Sequence, residues 1–316
     1  MTELNQQAQA IIDAAAASGL PPVYQLPTEE SRARMRAAFI QGEPESIPRL
    51  EDFVVPTEAE DIRARLYHPE PGGQLPLLLF FHGGGWIVND LDTHDRLCSI
   101  IAKEARVAVL SVDYRRSPEN KYPAAIEDAR QALAWAANHR ASLGVNNQIA
   151  VGGDSSGGTI AVSLAKQTRD FGGPAIAAQF LLYPVTDYLE PETASYVQRG
   201  VGYSLNRAFM EWAWSAYLPE AWDRSDPYLF PLQGDQVALP PTIIYTAEFD
   251  PLRDEGAALA DAMAKAGVTV SYVNADDQMH GFAMQTRAID RAAKILSEAC
   301  SALRRMLEGL GDRVDP

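Results

Sequence analysis

Hydrophobic and polar positions along the chain change rhythm repeatedly, and each change marks an element. Phe53-Val54-Val55 reads as a short strand, and Ile62-Arg63-Ala64-Arg65-Leu66-Tyr67 alternates apolar with basic residues. A period of two is that of a half-buried antiparallel strand. Pro76-Leu77-Leu78-Leu79-Phe80-Phe81 is apolar without interruption, which suits a strand covered on both faces. Further strands are predicted over residues 107–112, 148–151, 178–183, 242–246 and 268–274. Helices fall between them: 95–105, 123–138 with Pro123 in its first turn, 159–169, 256–266 closed by Gly267, and 288–310. Strand and helix alternating at this spacing predict an α/β fold, a mostly parallel, doubly wound sheet with helices on both faces.

Two regions stand outside that alternation. Residues 1 to about 47 read as helical. An alanine-rich stretch from Leu4 to Ala17 is broken by Pro21-Pro22, and an amphipathic helix from Glu29 to Phe39 follows, with Thr28 placed as its N-cap. This segment is either a cap or an arm. Between Asp187 and about Val237 there is no strand signal. A helix over 207–218, which Asn206 can cap, is crowded with Phe209, Trp212, Trp214 and Tyr217; Tyr196 and Tyr203 precede it and Trp222 follows. An insertion after a strand of such a sheet lies at the strands' carboxyl ends, over the usual ligand crevice. Trp212 and Trp214 lie two apart and point in different directions. A helix apolar on more than one face is sandwiched, as a lid over a pocket is; the alternative is a helix on the sheet's flank.

Composition narrows the function. The chain has 316 residues, 47% of them hydrophobic, enough for a large core. Its formal net charge of −15 argues against nucleic acid, which needs a basic face, and against anionic membrane surfaces. The two cysteines, Cys98 and Cys300, are far apart, each inside a predicted helix. They make no disulfide framework and point to a reducing compartment. The N-terminal stretch lacks the apolar core of a signal peptide. No apolar run approaches the roughly 20 residues of a membrane span. The expectation is a cytoplasmic protein without stable membrane insertion.

The chemistry gathers around Val151-Gly152-Gly153-Asp154-Ser155-Ser156-Gly157-Gly158. A serine at the centre of G-x-S-x-G, with a strand before it and a helix after it, is the nucleophile-elbow pattern. Side chains at Gly153 and Gly157 would clash where strand and helix cross, and Ser155 would stand clear at the positive end of a helix. An activated serine needs a base, and the base an orienting carboxylate. Of five histidines only His280 lies downstream of Ser155, in the loop Met279-His280-Gly281-Phe282. Asp250 falls at the carboxyl end of the strand over 242–246, where the acid is expected. Glu248 and Asp254 compete; Glu248 reads as an exposed or pairing residue and Asp254 as the opener of the next helix. The run His82-Gly83-Gly84-Gly85-Trp86 follows a buried strand and can turn N–H groups toward a developing oxyanion. Candidate donors are the N–H groups of Gly84, Gly85 and Ser156, with His82 and Gly83 supporting the loop. Asp154 reads as a turn and network residue, and His68, His94 and His139 as surface or helix-end residues. No cluster has metal-ligand spacing.

Together these motifs resemble the hormone-sensitive-lipase-like esterases, bacterial lipolytic family IV of the α/β-hydrolase fold. Val112-Asp113-Tyr114-Arg115, Pro118-Glu119-Asn120-Lys121-Tyr122-Pro123-Ala124-Ala125 and Asp250-Pro251-Leu252-Arg253-Asp254-Glu255 carry the resemblance beyond the elbow and the glycine loop. It departs at Ser156, where that family has alanine. The resemblance implies a helical cap made of residues 1–47 and the insertion 187–236, over a core made of 48–186 and 237–316. It also implies a serine carboxylesterase acting on short- to medium-chain acyl esters without metal or organic cofactor, as monomer or homodimer. Trp86, Tyr183, Phe209, Trp212 and Phe282 are candidates for the substrate pocket. The three glycines predict free room beside the ester's alkoxy carbon, and with it hydrolysis of tertiary-alcohol esters. The same machinery on amide, lactone or carbamate bonds is an alternative. A non-catalytic small-molecule receptor on this fold is a more distant one, because such proteins lose a triad member and His280 is present.

Overall fold

The computed structural model describes residues 2–40 and 45–309. The apolar run is strand β3 (Leu75–Phe81), and it lies inside the sheet with parallel neighbours on both sides. Successive side chains of a strand point to opposite faces. Leu77, Leu79 and Phe81 therefore enter one core, and Leu78 and Phe80 a second core across the sheet. Each such side chain contributes about 1.5–3 kcal/mol by leaving water.

The other strands are β1 (Arg49–Val55), β2 (Ile62–His68), β4 (Ala108–Asp113), β5 (Val145–Asp154), β6 (Ala178–Leu182), β7 (Thr242–Phe249) and β8 (Val270–Met279). Their order is β1-β2-β4-β3-β5-β6-β7-β8. β2 pairs antiparallel with β1 and β4, and the other pairs among the described strands are parallel. The helices are α1 (Gln6–Ala17), α2 (Thr28–Phe39), α3 (Leu91–Ala105), α4 (Ala124–Asn138), the single turn α5 (Arg140–Leu143), α6 (Ser156–Phe171), α7 (Ala194–Arg199), α8 (Arg207–Tyr217), α9 (Arg253–Lys265) and α10 (Asp290–Leu307). α4, α6, α8 and α9 contribute to the first core, and α1, α3 and α10 to the second. Among the described residues, no helix is long and apolar enough to cross a membrane.

Several boundaries differ from the sequence expectation, each for a local reason. α3 starts at Leu91 rather than Asp95. Asp90 accepts the Thr93 N–H at 3.1 Å, and Thr93 Oγ1 accepts the Asp90 N–H at 2.9 Å. This is a capping box closed by threonine instead of the usual glutamate or glutamine. Thr28 is already helical, and Pro27 occupies the cap without a side-chain hydrogen bond. α6 begins at Ser156, not Thr159, directly against the end of β5. The short α7 was not anticipated; Thr193 caps it. The predicted end of the last helix at Leu310 lies outside the described residues.

The insertion between β6 and β7 carries α7 and α8. Asn206 does cap α8, accepting the Phe209 N–H at 2.9 Å. α8 buries Met210, Ala213, Trp214 and Tyr217 and leaves Phe209 and Trp212 half-buried. The N-terminal segment reaches the same end of the sheet. Arg32 donates to the Ile87 and Ser117 carbonyls at 2.9 and 3.0 Å, Arg36 pairs with Asp90 and with Asp92, and the Asn5 N–H donates to the Asp277 carbonyl.

Candidate active site

β5 ends at Asp154 and α6 starts at Ser156, so Ser155 alone makes the turn, at φ +54° and ψ −122°. That conformation is strained for a residue with a Cβ. Its neighbours permit no alternative. A Cβ on Gly157 would lie 1.9 Å from the Phe81 carbonyl oxygen, and one on Gly153 2.4 Å from the Gly157 backbone. The turn is held by the Ser155 N–H donating to Leu182 at 2.9 Å, and by the Ser155 carbonyl accepting from Gly158 and Val185. The Ser155 side chain emerges at the N-terminus of α6, where helix N–H groups favour negative charge.

His280 follows β8, and its Nε2 lies 3.0 Å from Ser155 Oγ. Its Nδ1 lies 2.7 Å from Asp250 Oδ2. Asp250 is fully buried just after β7, and its other oxygen accepts the Leu252 N–H at 2.9 Å. With Nδ1 donating to the carboxylate, Nε2 offers its lone pair to the serine hydroxyl. The two competing acids are engaged elsewhere. Glu248 pairs with Arg253 and Arg199 and accepts from Asn274. Asp254 sits in the first turn of α9, accepts the Ser195 N–H at 2.7 Å and pairs with Arg253.

The glycine loop lies across from the elbow. The Gly83 N–H donates to Asp154 Oδ1 at 2.8 Å, and the Trp86 N–H to Ser156 Oγ at 3.2 Å. Between them, and at the start of α6, the N–H groups of Gly84, Gly85 and Ser156 have no acceptor among the described residues. Three unmatched donors beside a serine hydroxyl are what an oxyanion formed there would require. The glycines do not leave room for substrate. A Cβ on Gly84 would meet the Val88 carbonyl at 2.3 Å, and one on Gly85 would meet Phe209 and Ala213 of α8 at 3.0 and 3.1 Å. Their missing side chains let the loop turn and α8 close on it, which corrects the expectation of free room beside the alkoxy carbon.

His82 braces the loop as expected: Nδ1 donates to the Gly83 carbonyl at 2.8 Å, and the ring stacks on Tyr114 at 4.4 Å. Burial, with His94 close by, pushes its pKa down to about 4, so the ring is neutral. His94 and His68 are not surface residues. Both are fully buried, His68 beside the Gly144 carbonyl and His94 with Nε2 3.0 Å from Asp154 Oδ1. Burial alone would raise the Asp154 carboxyl; His94 and the Gly83 N–H hold it below the ordinary value instead. His139 does lie exposed at a helix end. Sequence reading missed His94 because it started α3 too late. From Leu91, the buried positions Leu91, His94, Leu97, Cys98 and Ile101 form one stripe. Glu255 was missed too. It is fully buried, burial raises its pKa well above the ordinary value, and it accepts the Thr186 N–H at 2.7 Å beside the loop that carries Val185.

Among the pocket candidates, Tyr183 packs on the His280 ring with centroids 4.8 Å apart, and Phe282 meets Tyr183 edge-on. Both are fully buried, as is Trp86, which stacks on Tyr217 at 4.2 Å under α8. Phe209 and Trp212 keep exposed surface.

A family profile described as the alpha/beta hydrolase fold matches residues 78–284. The chain is 40% identical over 286 residues to the carboxylic ester hydrolase LipN of Mycobacterium tuberculosis, covering 88% of this chain and 76% of that one. It is 34% identical over 297 residues to an ethyl acetate hydrolase of Pseudomonas putida, covering 90% and 92%. A solved ester hydrolase from the metagenome of Lake Arreo superposes with a TM-score of 0.92 at 36% identity, over 96% of this chain and 99% of that one. The chain belongs to the α/β-hydrolase family, in its hormone-sensitive-lipase-like branch, and is a carboxylic ester hydrolase.

Proposed function

We propose that the chain hydrolyses short- to medium-chain acyl esters through an acyl-enzyme, with Ser155 as nucleophile, His280 as base and acid, and Asp250 as orienting carboxylate. One observation carries this reading: the His280 ring stands between Ser155 Oγ at 3.0 Å and Asp250 Oδ2 at 2.7 Å. Ser155 Oγ attacks the ester carbonyl while His280 Nε2 takes its proton. The N–H groups of Gly84, Gly85 and Ser156 receive the oxyanion. His280 then returns the proton to the leaving alcohol, and water repeats the sequence on the acyl-serine.

The N-terminal segment to about residue 47 and the insertion 187–236 form, in this reading, one cap over Ser155, with 48–186 and 237–316 as the core. Support comes from α8 against Gly85, from the Arg32 contacts, and from the Ser204 hydroxyl donating to the His280 carbonyl at 2.9 Å. A nucleophile only 8% exposed beneath aromatic residues fits small esters better than packed lipid. The Pseudomonas putida relative is named for ethyl acetate. Phe209 and Trp212 would bound the pocket, with Trp86, Tyr183 and Phe282 behind it. Unpaired Cys98 and Cys300 suit the cytoplasm.

The test is a fluorophosphonate probe followed by p-nitrophenyl esters of increasing length with a chelator present. Labelling of Ser155 that is lost in Ser155→Ala, with peak turnover at roughly C4 to C8 acyl length, is expected. An unlabelled folded protein refutes the mechanism. Peak turnover on the palmitoyl ester refutes the substrate class, and loss of activity to the chelator refutes cofactor independence.

A further inference from the structure

The residues on either side of Ser155 each hold one end of the glycine loop. Asp154 takes the Gly83 N–H, and Ser156 Oγ takes the Trp86 N–H. The inner pair, Gly84 and Gly85, keeps its N–H groups unmatched. We infer that the Ser156 hydroxyl is a positioning group for the anion-binding loop, fixing the Gly85–Trp86 peptide against the elbow that supplies the third donor. The inference rests on the oxyanion role proposed above for Gly84, Gly85 and Ser156.

Three observations carry it. The loop is intrinsically soft, since Gly84 and Gly85 sit at φ +121° and +61°, where glycine has many alternatives. Trp86 sits at φ +61°, which a bulky residue avoids unless its surroundings hold it. Its ring is held by Tyr217, but its peptide N–H is held by Ser156. Finally, Ser156 is fully buried, so removing Oγ leaves the Trp86 N–H without water as a substitute partner.

The loop's other end has its own holds. There the Tyr114 phenol, fully buried, donates to the His82 carbonyl at 2.7 Å, while Asp154 holds the Gly83 N–H. His82 and Trp86, the first and last residues of the loop, are each held by a buried hydroxyl, of Tyr114 and of Ser156. Alanine at 156, as in the resembling esterases, would keep the backbone donor and lose the acceptor for the Trp86 N–H.

The experiment compares wild type, Ser156→Ala and Ser163→Ala. Ser163 is a control on the same helix, whose hydroxyl donates to the Tyr228 carbonyl at 2.6 Å. Turnover of p-nitrophenyl butyrate and inactivation by a fluorophosphonate are measured on each. For Ser156→Ala, kcat is expected to fall about tenfold with KM changed less than about twofold, the size of one misplaced hydrogen bond felt only in the transition state. The inactivation rate should fall in parallel, and Ser163→Ala should match wild type. Should Ser156→Ala not fold, Ser156→Cys, which keeps the volume but accepts weakly, is judged by the same readouts. A wild-type kcat in the Ser156 variant, or an equal loss in Ser163→Ala, refutes the inference alone. Wild-type protein that resists the probe refutes the underlying mechanism and the inference with it.

Discussion

Asp250→Asn separates the orienting acid from its neighbours. Both oxygens of Asp250 accept an N–H, one from His280 Nδ1 at 2.7 Å and one from Leu252 at 2.9 Å, and the side chain is fully buried. Asparagine offers one oxygen and one amino group, so only one donor can be satisfied as before. Turning the amino group toward Leu252 sets two donors face to face and costs about 1–3 kcal/mol for each unmet group. Turning it toward His280 keeps both contacts, provided the imidazole proton moves to Nε2. That second arrangement is the cheaper one, and it disables the base, because an Nε2–H facing Ser155 Oγ cannot take its proton. A triad with the wrong tautomer loses about 10⁴ in kcat, equivalent to about 5 kcal/mol of barrier. Purified Asp250→Asn should therefore melt close to wild type, bind p-nitrophenyl butyrate with a similar KM, and turn it over about 10⁴-fold more slowly. Asp254→Asn is the comparator. Its side chain is partly exposed, it can keep the Ser195 N–H, and it loses an ion pair with Arg253 worth at most about 1 kcal/mol. More than a tenth of wild-type turnover in Asp250→Asn, or a larger loss in Asp254→Asn, would refute the assignment.

Ser155→Ala and His280→Ala should each abolish turnover, and the double variant should be no slower than either single, since residues acting as one unit are non-additive. Additive losses in background-corrected rates would contradict a shared step. Lys166, fully buried in α6, donates to the Gln233 carbonyl at 2.7 Å, and burial lowers its pKa from 10.5 to about 8. Keeping it charged at pH 7 costs about 3 kcal/mol, so Lys166→Met, which forfeits one hydrogen bond, should gain up to about 2 kcal/mol in urea unfolding. Between about pH 8 and 10 the unfolded lysine binds more protons than the folded one, so wild type should gain stability on the variant as pH rises; a gap that widens would contradict this. Phe209→Ala should open the space beside Gly85 that Phe209 fills, raising turnover of tert-butyl acetate relative to ethyl acetate. An unchanged ratio would place the limiting wall elsewhere.

The sheet was legible because period-two and fully apolar runs have no competing reading at their length, and β3 fell where its composition required. The proximity of Ser155, His280 and Asp250 was legible for a different reason: strand ends and chain order restrict each proposed role to very few residues, and only one histidine follows Ser155. What stayed hidden depends on contacts between distant segments. His94 lies 60 residues from Asp154 and reaches it only once α3 packs on β4 and β2 and turns His94 toward the end of β5. Asp90 as a cap escaped notice because its partner at the third position is threonine. The glycine loop does follow a buried strand, yet its empty space was assigned to substrate, because a sequence does not reveal that α8 returns to fill it.

That return gives α8 two tasks. Through Phe209 and Ala213 it lies against Gly85, and through Trp214 and Tyr217 it grips the Trp86 ring, with centroids at 4.6 and 4.2 Å. The helix is in turn fastened to the core at its far end, where the Tyr122 N–H donates to the Tyr217 carbonyl at 2.9 Å and Lys121 to the Leu218 carbonyl at 2.8 Å. One element thus bounds the proposed pocket and backs the loop that faces Ser155. Aromatic side chains suit this because they fill volume with few rotatable bonds, so the surface behind Trp86 yields little. A change made in α8 to alter which ester enters therefore also reaches the peptide units of Gly85 and Trp86. Substitutions at Phe209, which lies against Gly85 without gripping the Trp86 ring, should shift selectivity with less loss of rate. Those at Trp214 or Tyr217, which hold Trp86 itself, act on the transition state as well.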